Sequence, residues 1–239
     1  MSAPLPLLLV PGLLCDARVF DRQVGALPDA HAVSGHGVQA RLADMADTIL
    51  AAAPPRFALL GHSMGARVAI EMWRRAPERV DRLALVSTGT HLPRPGEAEK
   101  RRALLATGRD QGMAALVDAW LPPMFAPAHR DDRALTDPSR TMCIDQGVDA
   151  YAAQIEALLA RPEIDSLLPT IDVPVLVAVG DQDGWAPPEQ HAAFAARIPA
   201  ARLVVVPGAG HMLPVEAPQP FNAAIRDWLA APHPNGETR

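Results

Sequence analysis

The segment Leu59-Leu60-Gly61-His62-Ser63-Met64-Gly65 constrains this chain more than any other. An apolar run of strand length meets a G-x-S-x-G turn, and a segment of helical period begins at once. A turn this sharp leaves no room for bulky neighbours, so Gly61 and Gly65 are expected to keep side chains out of it. Ser63 is expected at the tip of a sheet with its hydroxyl exposed. The helix starting at Met64 should aim its first amides at the same place, where they favour developing negative charge. The spacing is not the G-x-G-x-x-G of dinucleotide folds, and no G-K-[ST] phosphate loop occurs.

The rest of the chain alternates in the same way. Apolar runs at Leu5–Val10, Arg56–Leu60, Leu83–Val86, Val173–Val179 and Leu203–Val206, with a weaker one at Ala30–Val33, are near-continuous, as strands buried on both faces are. Helical stretches at Arg18–Leu27, Leu42–Ala53, Met64–Ala76, Pro188–Ile198 and Phe221–Ala231 separate them. This order predicts an α/β fold with a mostly parallel sheet of about six strands flanked by helices. Between about Pro93 and Asp165 the strands stop. Helical pieces at Glu97–Thr107, Gly112–Trp120 and Ala150–Ala160 are broken by turns at Leu121-Pro122-Pro123 and Asp137-Pro138. Residues 93–165 therefore read as a helical insertion into a core made of 1–92 and 166–239.

Composition narrows the partners. The 239 residues are 49% apolar and 21% charged, with a net charge of −5 and no basic block, so neither nucleic acid nor an anionic membrane is an expected partner. The N-terminal MSAPLPLLLVPGLL lacks a positive leader, is interrupted by prolines and is too short to span a bilayer. The end, PHPNGETR, reads as a frayed tail with His233 solvated. Cys15 and Cys143 fit neither a metal spacing nor a disulfide framework, which favours a reduced, cytoplasmic setting. No metal and no cofactor are expected.

A serine at its free pKa needs a base, and the base needs an orienting acid. Chain order in a strand–turn–helix fold of this kind is serine, acid, histidine. Two aspartates, Asp181 and Asp183, follow the run ending at Val179, and His211 follows the next in Pro207-Gly208-Ala209-Gly210-His211. His211 is the expected base. His62 adjoins Ser63, but its side chain should point away from the hydroxyl, leaving it a structural role. Arg67, Arg74 and Arg75 read as surface groups rather than carboxylate clamps. Leu14, Met64, Trp185 and Met212, with Trp120, Met124 and Phe125 from the insertion, suggest a small and mostly apolar acyl or alkyl pocket. Cys15 and Cys143 read as packed hydrophobes.

These residues resemble the α/β-hydrolase superfamily over nearly the whole chain, and in particular its small capped esterases and lactonases, such as enol-lactonases and short-chain carboxylesterases. The resemblance implies that Asp183 is the acid, because Gly180, Asp183 and Pro187 match the family's G-x-x-D-x-x-x-P. Gly210-His211-Met212-Leu213-Pro214 with Glu216 is similar to its histidine loop. Pro11-Gly12-Leu13 stands where the oxyanion loop usually reads His-Gly-x, which implies the Leu13 and Met64 amides as oxyanion donors. The two antiparallel strands that often precede this loop are missing, and 93–165 resembles the cap that lids the site. The implied reaction is cleavage of a small carboxylic ester or lactone through an acyl-enzyme on Ser63, by a monomer or small homo-oligomer. C–C bond hydrolysis, a haloperoxidase-like activity or a non-catalytic ligand receptor are the alternatives on this scaffold. No aspartate stands at the elbow, which argues against dehalogenase and epoxide-hydrolase chemistry.

Overall fold

The computed structural model describes residues 5–234; the segment 235–239, read above as a frayed tail, and residues 1–4 lie outside it. Six strands form one parallel sheet: β1 (Leu7–Val10), β2 (Ala30–Ala32), β3 (Phe57–His62), β4 (Val80–Val86), β5 (Val175–Gly180) and β6 (Ala201–Val206), in the order β2-β1-β3-β4-β5-β6. Every residue of β1, β3 and β5 is buried, which is what their unbroken apolar runs require of strands covered on both faces. Prolines trim the expected starts. Pro6 and Pro174 have no N–H for the ladder, and the strands begin one residue after each. Both prolines still accept, Pro6 from the Ala58 amide and Pro174 from the Leu83 amide. The two sheet edges are the three-residue β2 and the partly exposed β6, which carries Arg202; short or charged edges resist pairing with another chain.

The chain leaves β1 for β2 on one side, crosses back to β3 and then proceeds the other way to β6. The C-terminal ends of β1 and β3 therefore flank the switch point of the sheet, where α/β folds form a crevice. Around the sheet lie α1 (Asp21–Val24), α2 (Leu42–Ala52) and α3 (Met64–Arg75). Between β4 and β5 come α4 (Glu97–Gln111), α5 (Met113–Trp120), α6 (Arg133–Asp145) and α7 (Gly147–Leu159), followed after β5 by α8 (Pro188–Ala195), α9 (Leu213–Glu216) and α10 (Pro218–Ala230).

Three local expectations are corrected. The stretch 18–27 is not one helix but a 3-10 turn, Ala17–Phe20, running into α1, because the Asp16 carboxylate caps the Arg18 amide and tightens the entry. Asp137-Pro138 is not a turn; both lie inside α6. Pro138 forfeits one helical hydrogen bond, but Asp132 caps the start and the buried Met142 and Cys143 hold the helix against the core, so packing outweighs the loss. His233 is not solvated; its ring lies 3.3 Å from the Asp81 carboxylate.

Candidate active site

β3 runs straight into α3, and Ser63 at the junction takes φ 56° and ψ −117°. Left-handed backbone at a non-glycine residue costs about 1–3 kcal/mol and persists only where the surroundings hold it. Here the Ser63 amide donates to the Val86 carbonyl at 2.8 Å, and the Ser63 carbonyl accepts from the Thr88 hydroxyl at 3.1 Å. Close approach accounts for the two flanking glycines. A Cβ at Gly65 would stand 2.1 Å from the Val10 carbonyl oxygen, and one at Gly61 would stand 2.3 Å from the Gly65 carbonyl oxygen.

The loop after β6 brings His211 to this corner. His211 Nε2 is 2.9 Å from Ser63 Oγ, and His211 Nδ1 is 2.9 Å from Asp183 Oδ2, the aspartate coming from the loop after β5. Asp183 Oδ1 also accepts from the amides of Trp185 and Ala186 at 2.9 and 2.8 Å. Burial by itself would raise the Asp183 pKa. The positive charge and hydrogen bond of His211, with the two amides, outweigh burial and hold the carboxyl below its ordinary range. Asp181 does not reach the imidazole; it is exposed and accepts from the Gly208 amide at 2.7 Å.

Neighbours fix the loops that carry these groups. The buried His62 ring donates from Nε2 to the His211 carbonyl at 2.8 Å. Burial first, then the charge of His211, lowers its pKa to about 4, so the ring is neutral. His191 accepts the Thr88 amide at 2.9 Å, and its pKa is likewise lowered to about 4 by burial. Glu216, whose carboxylate is fully buried, accepts from the Gly210 and Ala126 amides at 2.9 and 2.8 Å and meets His129 at 2.9 Å. The His211 and Met212 amides donate to the Met124 carbonyl at 2.8 and 3.2 Å, so the histidine loop is tied to the segment following α5 both directly and through Glu216. In the loop after β1, Gln154 of α7 accepts the Leu14 amide at 2.8 Å, where Leu14 has φ 55°. Among the described residues the Leu13 amide has no hydrogen-bond partner, and that of Met64, in the first turn of α3, has no acceptor within its helix.

A cavity of about 360 Å³ opens at Ser63 and His211. Met64, Trp120, Met124 and Trp185, from the set singled out in the sequence, line it, together with Leu13. Leu14, Phe125 and Met212 do not; each is buried in the core with at most 1% exposure. The backbone turns their side chains inward, a choice that sequence proximity to the site does not reveal. Apolar groups make up most of the cavity wall, but the wall also carries a cationic side that the sequence reading did not include. Arg67, expected at the surface, is 4% exposed and lines the cavity, with Arg94, Lys100, Arg101 and Arg161. Arg74 and Arg75 do stay outside the cavity, paired with Glu71 on their own helix. Neither cysteine lines the cavity, and both are buried. Among the described residues no cluster of three His, Cys, Asp or Glu side chains could hold a metal ion, and no helix is long and apolar enough to cross a membrane.

The family profile described as "Alpha/beta hydrolase family" matches residues 7–224. The chain belongs to the alpha/beta hydrolase family. One relative of this α/β hydrolase is a protein of Caulobacter sp. (strain K31) named as a candidate carbamate hydrolase, RutD. It is 31% identical over 91% of this chain and 80% of its own. Among solved structures, a thermophilic esterase from Thermogutta terrifontis is 29% identical with a TM-score of 0.85, covering 96% of this chain and 90% of its own. The enol-lactonase from Burkholderia xenovorans LB400, 24% identical with a TM-score of 0.86, covers 96% and 93% and shares the fold of this α/β hydrolase.

The Gln154, Thr88 and Arg161 contributions were missed by sequence reasoning, and Glu216 was noted only as part of the histidine loop, not as its anchor. Each acts across at least one loop or helix packing contact, and none sits at a spacing that marks it. Only Glu216, close after His211, carried a local signal.

Proposed function

We propose that this α/β hydrolase cleaves a small carboxylic ester or lactone through an acyl-enzyme on Ser63. The observation that carries the reading is the hydrogen-bonded chain from Ser63 Oγ through His211 to Asp183 at the wall of a cavity. Ser63 Oγ attacks the carbonyl carbon and its proton passes to His211 Nε2. The Asp183 carboxylate accepts the Nδ1 proton's hydrogen bond and stabilises the imidazolium. The Leu13 and Met64 amides are assigned to the oxyanion, each donor lowering the barrier by about 3 kcal/mol. The tetrahedral intermediate collapses, and the leaving oxygen takes the proton from His211. Water then attacks the acyl carbon, giving its proton to His211, and Ser63 Oγ departs with that proton. In this reading residues 93–165 are a cap over the site, as Trp120 and Met124 on the cavity wall support.

The name of the Caulobacter relative favours a second substrate class, since a carbamate carbonyl is open to the same attack. Hydrolysis of p-nitrophenyl esters from acetate to palmitate, beside p-nitrophenyl carbamates, tests both. Ester turnover that disappears in Ser63→Ala, with the fold retained by circular dichroism, is the expected result. Turnover of neither class, or turnover that persists in Ser63→Ala, removes the proposal.

A further inference from the structure

The chain carries a net charge of −5, yet its cavity does not share that sign. Five cationic side chains line it, Arg67, Arg94, Lys100, Arg101 and Arg161, against one carboxylate, Glu97. Glu97 is already engaged. It takes both guanidinium nitrogens of Arg161 at 2.7 and 2.8 Å and Arg101 at 2.9 Å. Arg67 and Arg161 then share a single neutral acceptor, the His91 carbonyl. The other carboxylates whose charge reaches Arg67 are Asp165 and Glu71. Neither hydrogen-bonds it and neither lines the cavity, Asp165 pairing with Arg197 and Glu71 with Arg74 and Arg75.

Two buried polar groups on this wall are left without partners. Arg67 Nη1 makes no hydrogen bond although the residue is 96% buried, its exposure being 4%. Ser87, at the end of β4 with 0% exposure, has a hydroxyl with no partner at all. Both residues line the cavity that Ser63 opens onto, and Arg67 lies one helical turn beyond Ser63 on α3. Buried polar atoms in native proteins are nearly always satisfied, so two orphans on one cavity wall call for a partner. Both orphans can donate, and one is a guanidinium, whose planar fork matches a carboxylate.

Resting on the serine-hydrolase reading of the same site, we propose that Arg67 and Ser87 form a carboxylate subsite, so that the ester or lactone cleaved here carries a free carboxylate. Arg94 and Lys100, both exposed at the rim, are not hydrogen-bonded through their side chains among the described residues and draw the anion toward the cavity. Arg161 and Arg101, neutralised in part by Glu97, brace the wall and leave Arg67 without a hydrogen-bonded carboxylate until the substrate arrives.

The test compares kcat/KM for monoethyl glutarate and monoethyl adipate with ethyl pentanoate and ethyl hexanoate, which match them in chain length but lack the charge. The native protein is expected to prefer the anionic ester by at least about tenfold. The anionic-to-neutral ratio should fall about 30-fold in Arg67→Gln and about fivefold in Ser87→Ala. Ser87→Ala removes one hydroxyl and keeps the test decisive if Arg67→Gln does not fold. Equal or greater activity on the neutral esters, or a ratio that neither variant moves, overturns the proposal. Calorimetric titration with glutarate separates this result from the chemistry. Saturable binding to the native protein and to Ser63→Ala, weakened at least about tenfold in Arg67→Gln, is expected even where no ester is turned over. Absence of saturable binding to both overturns the subsite irrespective of turnover.

Discussion

At the scale of single residues the site is a matter of tautomers and close approach. Asp183 binds His211 at Nδ1, which leaves Nε2 free to face Ser63. In Asp183→Asn the amide can present its NH₂ to Nδ1 and favour the wrong tautomer. Ester turnover is therefore expected to drop about 10⁴-fold with little change in fold. Steady-state kinetics and circular dichroism on the purified variant check this, and a loss under tenfold would contradict the role. Gly65→Ala tests the turn itself. Its Cβ would fall 2.1 Å from the Val10 carbonyl oxygen, and backbone on both sides cannot yield. The variant is expected to lose several kcal/mol of stability or fail to express as soluble protein. Soluble expression with a native melting temperature would mean that β1 and α3 are not packed as described.

Between elements, a few buried polar side chains join the loops that meet at Ser63. Glu216 connects the histidine loop to the segment after α5 through two backbone amides. Glu216→Ala strands both buried donors and is expected to cost about 2–4 kcal/mol and to lower kcat by loosening His211. Urea denaturation measures the first and kinetics the second; His129→Ala, at a half-buried partner, should cost much less. A native denaturation midpoint in Glu216→Ala would show that the connection is not structural. Gln154 does the same for the loop after β1, accepting the Leu14 amide and donating to the Gly37 carbonyl at 2.9 Å. Gln154→Leu keeps the volume and removes the acceptor, so ester kcat should fall about tenfold as the neighbouring Leu13 amide loses its placement. Unchanged kcat would detach α7 from the site.

For the molecule as a whole, buried histidines set the acid limit of stability. His62 and His191 ordinarily titrate near 6.5 and are pushed down to about 4 in the folded state. Above pH 6.5 both are neutral whether folded or unfolded. As pH falls from 6.5 to about 4 the unfolded chain takes up protons that the folded one refuses, so stability is lost through that window and the loss levels off below it. Each ring contributes on the order of 3 kcal/mol to this slope. Asp183, held below its ordinary range, adds a loss of the same sign at still lower pH. Melting temperature followed from pH 8 to 4 should decline steadily below pH 6.5, and His191→Gln should flatten part of the decline. A flat profile down to pH 4.5 would show that neither ring is buried neutral.

The parallel sheet was legible because strands buried on both faces must be apolar along their length, and 5–10, 57–60 and 173–179 carry no charged or polar side chain. The turn at Ser63 was legible because sharp backbone admits only glycine beside it. Ser63 and His211 stood out because each follows a strand end, where this topology gathers functional groups; position alone left Asp181 and Asp183 open, and the resemblance to the α/β hydrolases favoured Asp183. What the chain could not disclose is which way side chains face once loops fold back. Leu14, Phe125 and Met212 turn into the core although they adjoin the site, while Arg67 turns into the cavity although a charged residue on a helix is expected at the surface. Pro138 sits inside a helix because buried neighbours outweigh one missing hydrogen bond. Periodicity and turn chemistry act over a few residues and can be read in order. Partner choice for a buried guanidinium or carboxylate is settled by whichever groups distant segments bring within 3 Å, and only the tertiary structure decides that.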